Sequence, residues 1–254
     1  MDGRSYKIKV LAAWDRSILW VKDHQAISRL ILISVGLAAF LTLLPGYIRS
    51  YFWHGLQTHK VLAAMLFVFI LLSISLVLSA GQKLDAWAFL LFNLRGARSV
   101  WLDRMMIVFT QIGSAIAAIV IALVFYLTGN RVLAYELMLG TLSLWMVVEI
   151  LKLLVNRSRP FIHLTQARIV GFRAIGRSFP SGHTSQSFFM ATLISQYFHL
   201  GVWVVLLLYG IALMIGITRM YVGAHYPRDV VAGAILGSAW GSIGVIVSGY
   251  VFRL

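Results

Sequence analysis

Apolar runs long enough to cross a bilayer recur along this chain, at roughly 30–48, 61–80, 105–127, 134–155, 184–199, 202–219 and 229–250. A helical span needs about 20 such residues, and backbone inside lipid must satisfy its own hydrogen bonds. The runs therefore predict an all-α, polytopic helical membrane protein. They leave no room for a sizeable soluble domain, so residues 30–254 read as a single membrane domain. Composition agrees: 60% of the 254 residues are hydrophobic, 12% are charged, and the mean hydropathy is +0.87, well above that of soluble domains.

Residues 1–29 are mixed and basic, with six Lys or Arg among Trp14, Trp20 and aliphatic residues. That pattern suits either a helix lying in the headgroup region or a solvated tail. It lacks the layout of a cleavable signal peptide. The formal charge of +14 is explained without nucleic acid, by anchoring to anionic lipid and by the excess of basic residues in cytoplasmic loops. The absence of cysteine excludes disulfide and thiol chemistry.

Between the second and third runs, "GQKLDAWAFLLFNLRGARSVWLDR" is too polar at both ends to cross, and it reads as an interfacial helix followed by a turn. The longest polar connection, 156–183, holds five arginines, two histidines and three glycines. Connections of that length are usually functional. In the last run Gly233, Gly237 and Gly241 recur every four residues, a stripe that admits a close neighbouring backbone. Trp53, Trp87 and Trp101 lie near span ends, as an interfacial belt requires.

Three clusters carry the chemistry. "KLLVNRSRP" closes the fourth run, "PSGH" opens the fifth, and "TRMYVGAHYPRD" bridges the sixth and seventh. A chain that leaves one face of the bilayer returns to it after two spans, so all three clusters share one face. Lys152 and Arg159 are separated by six residues. Pro160 pushes Arg159 out of helical geometry, so its guanidinium can turn back toward Lys152. Snorkelling is the bland alternative. Ser181 and Gly182 open a helix whose first amides lack intrahelical partners, a ready anion site, with His183 beside it. A structural histidine is the alternative there. Arg219 precedes His225 by six residues and Asp229 follows by four, so that the carboxylate can orient the imidazole. A surface ion pair is the alternative.

Together, three cations, two amides and two histidines at one membrane face suit a phosphoryl group, whose transition state is stabilised by positioning and charge. Lys-x6-Arg-Pro at 152–160, Pro-Ser-Gly-His at 180–183 and Arg-x5-His-x3-Asp at 219–229 resemble, in order and spacing, the signature of the type 2 phosphatidic acid phosphatase and vanadium haloperoxidase superfamily. Thr218 stands where that family usually has serine. The resemblance covers residues 61–254 and implies a six-helix phosphatase core, with 30–48 as an extra N-terminal span. It implies a metal-independent mechanism with no cofactor. His225 is then the nucleophile, Asp229 orients it, and His183 protonates the leaving alkoxide. Lys152, Arg159, Arg219, Ser181 and Gly182 hold the phosphate.

The expected substrate is a membrane lipid with a phosphate or pyrophosphate headgroup: phosphatidylglycerophosphate, phosphatidic acid or a polyprenyl pyrophosphate. Two alternatives stand beside hydrolysis. One is transfer of the phosphate to another lipid. The other is transport of an anionic lipid, for which the main support is Glu149 within an apolar run, although Lys152 is close enough to pair with it. The expected location is a bacterial inner membrane. The excess of Lys and Arg on the motif-bearing face places that face in the cytoplasm, whereas the resemblance implies the opposite face. Oligomeric state is not legible.

Overall fold

The computed structural model describes residues 35, 39, 42, 43, 45–76, 79–94 and 99–251. The basic N-terminal segment 1–29 and most of the 30–48 run lie outside them. The described residues form ten helices: α1 (Gly46–Thr58), α2 (Lys60–Ser75), α3 (Ser79–Asn93), α4 (Val100–Gln111), α5 (Ala115–Leu127), α6 (Arg131–Val155), α7 (Pro160–His163), α8 (Gly182–Tyr197), α9 (Val202–Tyr221) and α10 (Pro227–Val251). The all-α expectation holds. The segments Arg131–His163, Val202–Tyr221 and Pro227–Gly249 are long and apolar enough to cross a membrane. The α4–α5 pair adds a fourth if it is counted as one span.

That pair corrects the sequence analysis, which treats 105–127 as one run. The chain bends by 54° between α4 and α5, and Ser114 caps the second helix by accepting from the Ala117 amide at 3.1 Å. An Asx- or Ser-type cap competes with helix continuation. Here tertiary packing favours the cap, because a Cβ at Gly113 would stand 2.8 Å from the His183 carbonyl oxygen and 2.6 Å from an Ile215 methyl. The bend thus places α4 and α5 around the start of α8.

α8 lies at the centre. It is short and rich in small polar residues, and yet Thr184, Ser185, Gln186, Ser187, Thr192 and Ser195 are all buried. The serine hydroxyls are satisfied locally: Ser185 Oγ donates to the Ser181 carbonyl (2.9 Å), Ser187 Oγ to the Thr184 carbonyl (3.0 Å) and Ser195 Oγ to the Ala191 carbonyl (2.6 Å). Small side chains allow α10 to approach. The stripe Gly233, Gly237 and Gly241 faces α8, and a Cβ at Gly233 would be 2.7 Å from the Ser181 carbonyl oxygen. Around this pair Leu133, Leu137, Leu144, Phe179, Phe189, Leu193 and Leu236 form the apolar core.

Candidate active site

α6 ends at Val155, where the fourth apolar run ends. Asn156 takes a left-handed conformation (φ 54°) and its amide closes on the Lys152 carbonyl, a common way to end a helix. Arg159 is extended, as the following proline requires, and caps the one-turn α7. Ser178 then ties the next segment to this corner: its amide donates to the Arg157 carbonyl (2.9 Å) and its hydroxyl to the Ser158 carbonyl (3.1 Å). On the other side Pro227 opens α10. Asp229, two residues on, accepts from the Tyr226 amide at 2.9 Å, half of a capping box. Gly223 has φ +88°, and a Cβ there would meet the Arg168 carbonyl oxygen.

The three clusters converge on one cavity of about 360 Å³, whose lining includes Lys152, Arg159, Gly182, His183, Arg219 and His225. His225 is buried and its tautomer is determined by its neighbours. Nδ1 lies 2.7 Å from the Ser178 carbonyl oxygen, which only accepts. Nε2 lies 3.3 Å from Arg159 Nη1, which only donates. The proton therefore sits on Nδ1, and the unprotonated Nε2 faces Arg159 Nη1 in a residue that lines the cavity. Burial, reinforced by Arg159 and Arg219 and opposed by Asp229, pushes the pKa of His225 down to about 3.

Asp229 is placed differently from its expected contact with His225. It lies 3.7 Å from Nδ1, beyond hydrogen-bond reach, while Ser178 occupies the orienting position. Its Oδ1 instead accepts from Arg157 Nη1. Arg157 is fully buried. It also donates to Asp85 and, at 3.1 Å, to Gln82 of α3, and it stacks 4.2 Å over the Tyr226 ring. Arg228 completes the set through Asp85 (2.7 Å) and the Ser75 carbonyl. Sequence reasoning missed Arg157 because it lies among the six unspecified residues of the first cluster. An arginine two residues before the motif arginine was the available signal.

The cations divide into different commitments. Arg159 lines the same cavity as Lys152. It donates to the carbonyls of Gly176 (3.1 Å), Ile175 (2.8 Å) and Ala224 (3.0 Å). Lys152 pairs with Glu149 at 2.7 Å. Arg219 donates to Thr110 Oγ1 at 3.0 Å, and its Nε is buried with no protein partner. A buried donor without an acceptor is costly, and at a cavity wall it fits an anion. Ser181 departs from expectation. Its amide donates to the Asp229 main-chain carbonyl (3.0 Å), its buried hydroxyl accepts from Thr184 Oγ1 (2.9 Å), and it does not line the cavity. Among the two residues expected to supply amides, Gly182 alone lines the cavity.

Comparison with known proteins places these motifs. Residues 131–253 match the PAP2 superfamily. The bacitracin transport permease protein BcrC of Bacillus licheniformis is 33% identical over 110 residues, 43% of this chain and 53% of that protein, so the chain matches about half the length of that relative. An undecaprenyl-diphosphatase of Sulfolobus acidocaldarius is 26% identical over 176 residues, 68% of this chain and 84% of that one. The crystal structure of a transmembrane PAP2 type phosphatidylglycerolphosphate phosphatase from Bacillus subtilis superposes with a TM-score of 0.63 at 20% identity. It covers 76% of this chain and 98% of its own, a likeness of fold. All three sequence clusters and the cavity residues His183, Arg219 and His225 fall inside the matched segment, and the chain therefore carries a PAP2 superfamily domain over residues 131–253.

Proposed function

We propose that the chain is a membrane lipid phosphatase acting through a phosphohistidine. The observation that carries this reading is the His225 imidazole, held neutral with Nε2 unprotonated in a cavity lined by Lys152, Arg159 and Arg219. Nε2 attacks phosphorus. As the P–N bond forms, the P–O bond to the lipid breaks, and His183, which burial and Arg219 hold in the neutral form until the phosphate is bound, takes the proton of the phosphate monoester and relays it to the leaving oxygen. Water then attacks the phosphohistidine, His183 takes a proton from it, and the P–N bond breaks. Arg219 Nε and the Gly182 end of α8 hold phosphoryl oxygens, and Arg159 Nη1 passes from Nε2 to the phosphoryl group. Asp229 acts through the backbone: it holds the Tyr226 amide beside His225.

The test is phosphate release from phosphatidic acid, phosphatidylglycerophosphate and undecaprenyl diphosphate in mixed micelles. His225→Ala is expected to lose at least about 10³-fold in rate. Labelled substrate is expected to leave acid-labile phosphate on the parent and none on the variant. A variant as fast as the parent on every lipid overturns the reading. An added acceptor lipid that captures the phosphate instead of water identifies a phosphotransferase.

The same reading places one membrane domain in a bacterial inner membrane, with a core over residues 61–254 and the motif end toward the cytoplasm. Thr165 is exposed on that end and the chain has no cysteine. Thr165→Cys is expected to react with an impermeant maleimide only after the membrane is opened. Labelling of intact cells reverses the orientation.

A further inference from the structure

A second chamber of about 220 Å³ adjoins the phosphate cavity. The two share Lys152, Gly182 and His183 as a dividing wall, whereas His225, Arg159 and Arg219 line the first alone. The second chamber is bounded by the α4–α5 bend at Gly113 and Ala115, by Trp145 and Glu149 of α6, and by Gln186 of α8. Ala115 and Trp145 are exposed on the outer face of the bundle, so the chamber opens toward the lipid.

Phosphoryl transfer runs in line, with the nucleophile and the leaving oxygen on opposite sides of phosphorus. With Nε2 of His225 on the first side, the leaving oxygen points at the wall that carries His183. The atoms beyond that oxygen continue into the second chamber. There they meet the Glu149 carboxylate, which holds the Lys152 ammonium at 2.7 Å while its side chain remains 44% exposed. A carboxylate only accepts hydrogen bonds. A hydroxyl or ammonium on the leaving group satisfies it. The second phosphate of a diphosphate sets like charges against each other.

Resting on the phosphatase reading above, we infer that Glu149 is a specificity residue: it selects lipid phosphomonoesters whose leaving group carries a hydroxyl or ammonium donor, against lipid diphosphates. Glu149 also keeps one of the three Lys152 donors turned away from the phosphate, so its removal frees that donor for an additional anionic group.

The experiment measures kcat/KM for phosphatidylglycerophosphate and for undecaprenyl diphosphate in the same micelles, for the parent, Glu149→Gln and Glu149→Asp. The parent is expected to prefer the monoester. Glu149→Gln, which keeps the shape and removes the charge, is expected to lower the monoester-to-diphosphate ratio by at least about tenfold, the equivalent of one charge-assisted hydrogen bond. Glu149→Asp, which keeps the charge, is expected to retain the parent's preference. A parent that prefers the diphosphate, a ratio unmoved by Glu149→Gln, or equal losses on both lipids overturns the assignment while leaving the phosphatase reading intact. Release of phosphate from neither lipid by the parent removes that reading and this one with it.

Discussion

Arg157 and Arg219 are both buried at the motif end, and their surroundings are opposite. Arg157 meets the carboxylates of Asp85 and Asp229, the Gln82 amide oxygen and the face of Tyr226. Arg228 shares Asp85, so two guanidinium groups face two carboxylates, although Arg228 Nη2 is buried without a partner. Arg219 has one hydroxyl partner, Thr110, and an Nε with none. A buried charge is tolerated when paired and hydrogen-bonded. Arg157 therefore fastens α3, the 156–159 corner and the start of α10 into one unit, and Arg219 holds unspent hydrogen-bonding capacity at the cavity. Residue type does not separate the two functions. The number of acceptors around each guanidinium does.

The largest effect that would break this contrast is on stability. Arg157→Met leaves Asp85 and Asp229 buried without their shared cation, and is expected to cost about 3–5 kcal/mol, read from thermal or denaturant unfolding in detergent micelles. Arg219→Gln removes an under-paired cation and is expected to leave stability equal or higher. It should instead lower kcat/KM by about 10²–10³-fold, as for loss of one transition-state donor. Equal destabilisation by both changes would falsify the distinction.

A pH series sharpens it next. The pKa of His225 is lowered from 6.5 to about 3, first by burial and then by Arg159 and Arg219. Protonation therefore favours the unfolded chain. The contribution is fully present above about pH 6.5 and declines as pH falls toward about 3, reaching a loss of about 2 kcal/mol near pH 5. The difference in unfolding free energy between the parent and His225→Gln should be constant above pH 6.5 and shrink or reverse below it. A pH-independent difference removes the buried neutral imidazole from the account.

The smallest effect concerns the single anchor of Arg219. Thr110→Val removes its hydroxyl partner and is expected to lower kcat/KM by roughly 5- to 10-fold, about 1 kcal/mol. In an Arg219→Gln background the same change should do nothing, because coupled residues are not additive. An undiminished effect there gives Thr110 another function.

Much of the site is legible in the sequence, for reasons that differ by residue. Alternation of spans brings the three clusters to one end whatever their local geometry, and His183, His225, Lys152, Arg159, Arg219 and Gly182 do line one cavity. The Gly233, Gly237 and Gly241 stripe announced a close packing partner, and α8 is that partner. The segment between the second and third runs, read from the sequence as an interfacial helix, is helical over Ser79–Asn93. Glu149 lies within reach of Lys152, and the two pair. Other features were hidden because they depend on residues far apart in the chain. Ser178 reaches His225 through its main-chain carbonyl, which carries no side-chain signature. Asp85 reaches Arg157 across more than seventy residues. The break at 112–114 lies inside an apolar run in which no proline marks it, and contact with His183 and Ile215 locates it.

The sequence by itself determined the solvent, the order of the helices and the chemistry gathered at one end, because hydrophobic run length and motif spacing are local properties. Only the tertiary structure decided which groups are satisfied and which remain available. Arg157 and Arg219 are the same residue type, as are the amides of Ser181 and Gly182. Hydrogen-bond saturation depends on every neighbour in space, and those neighbours come from α3, α4, α6, α8 and α10 together.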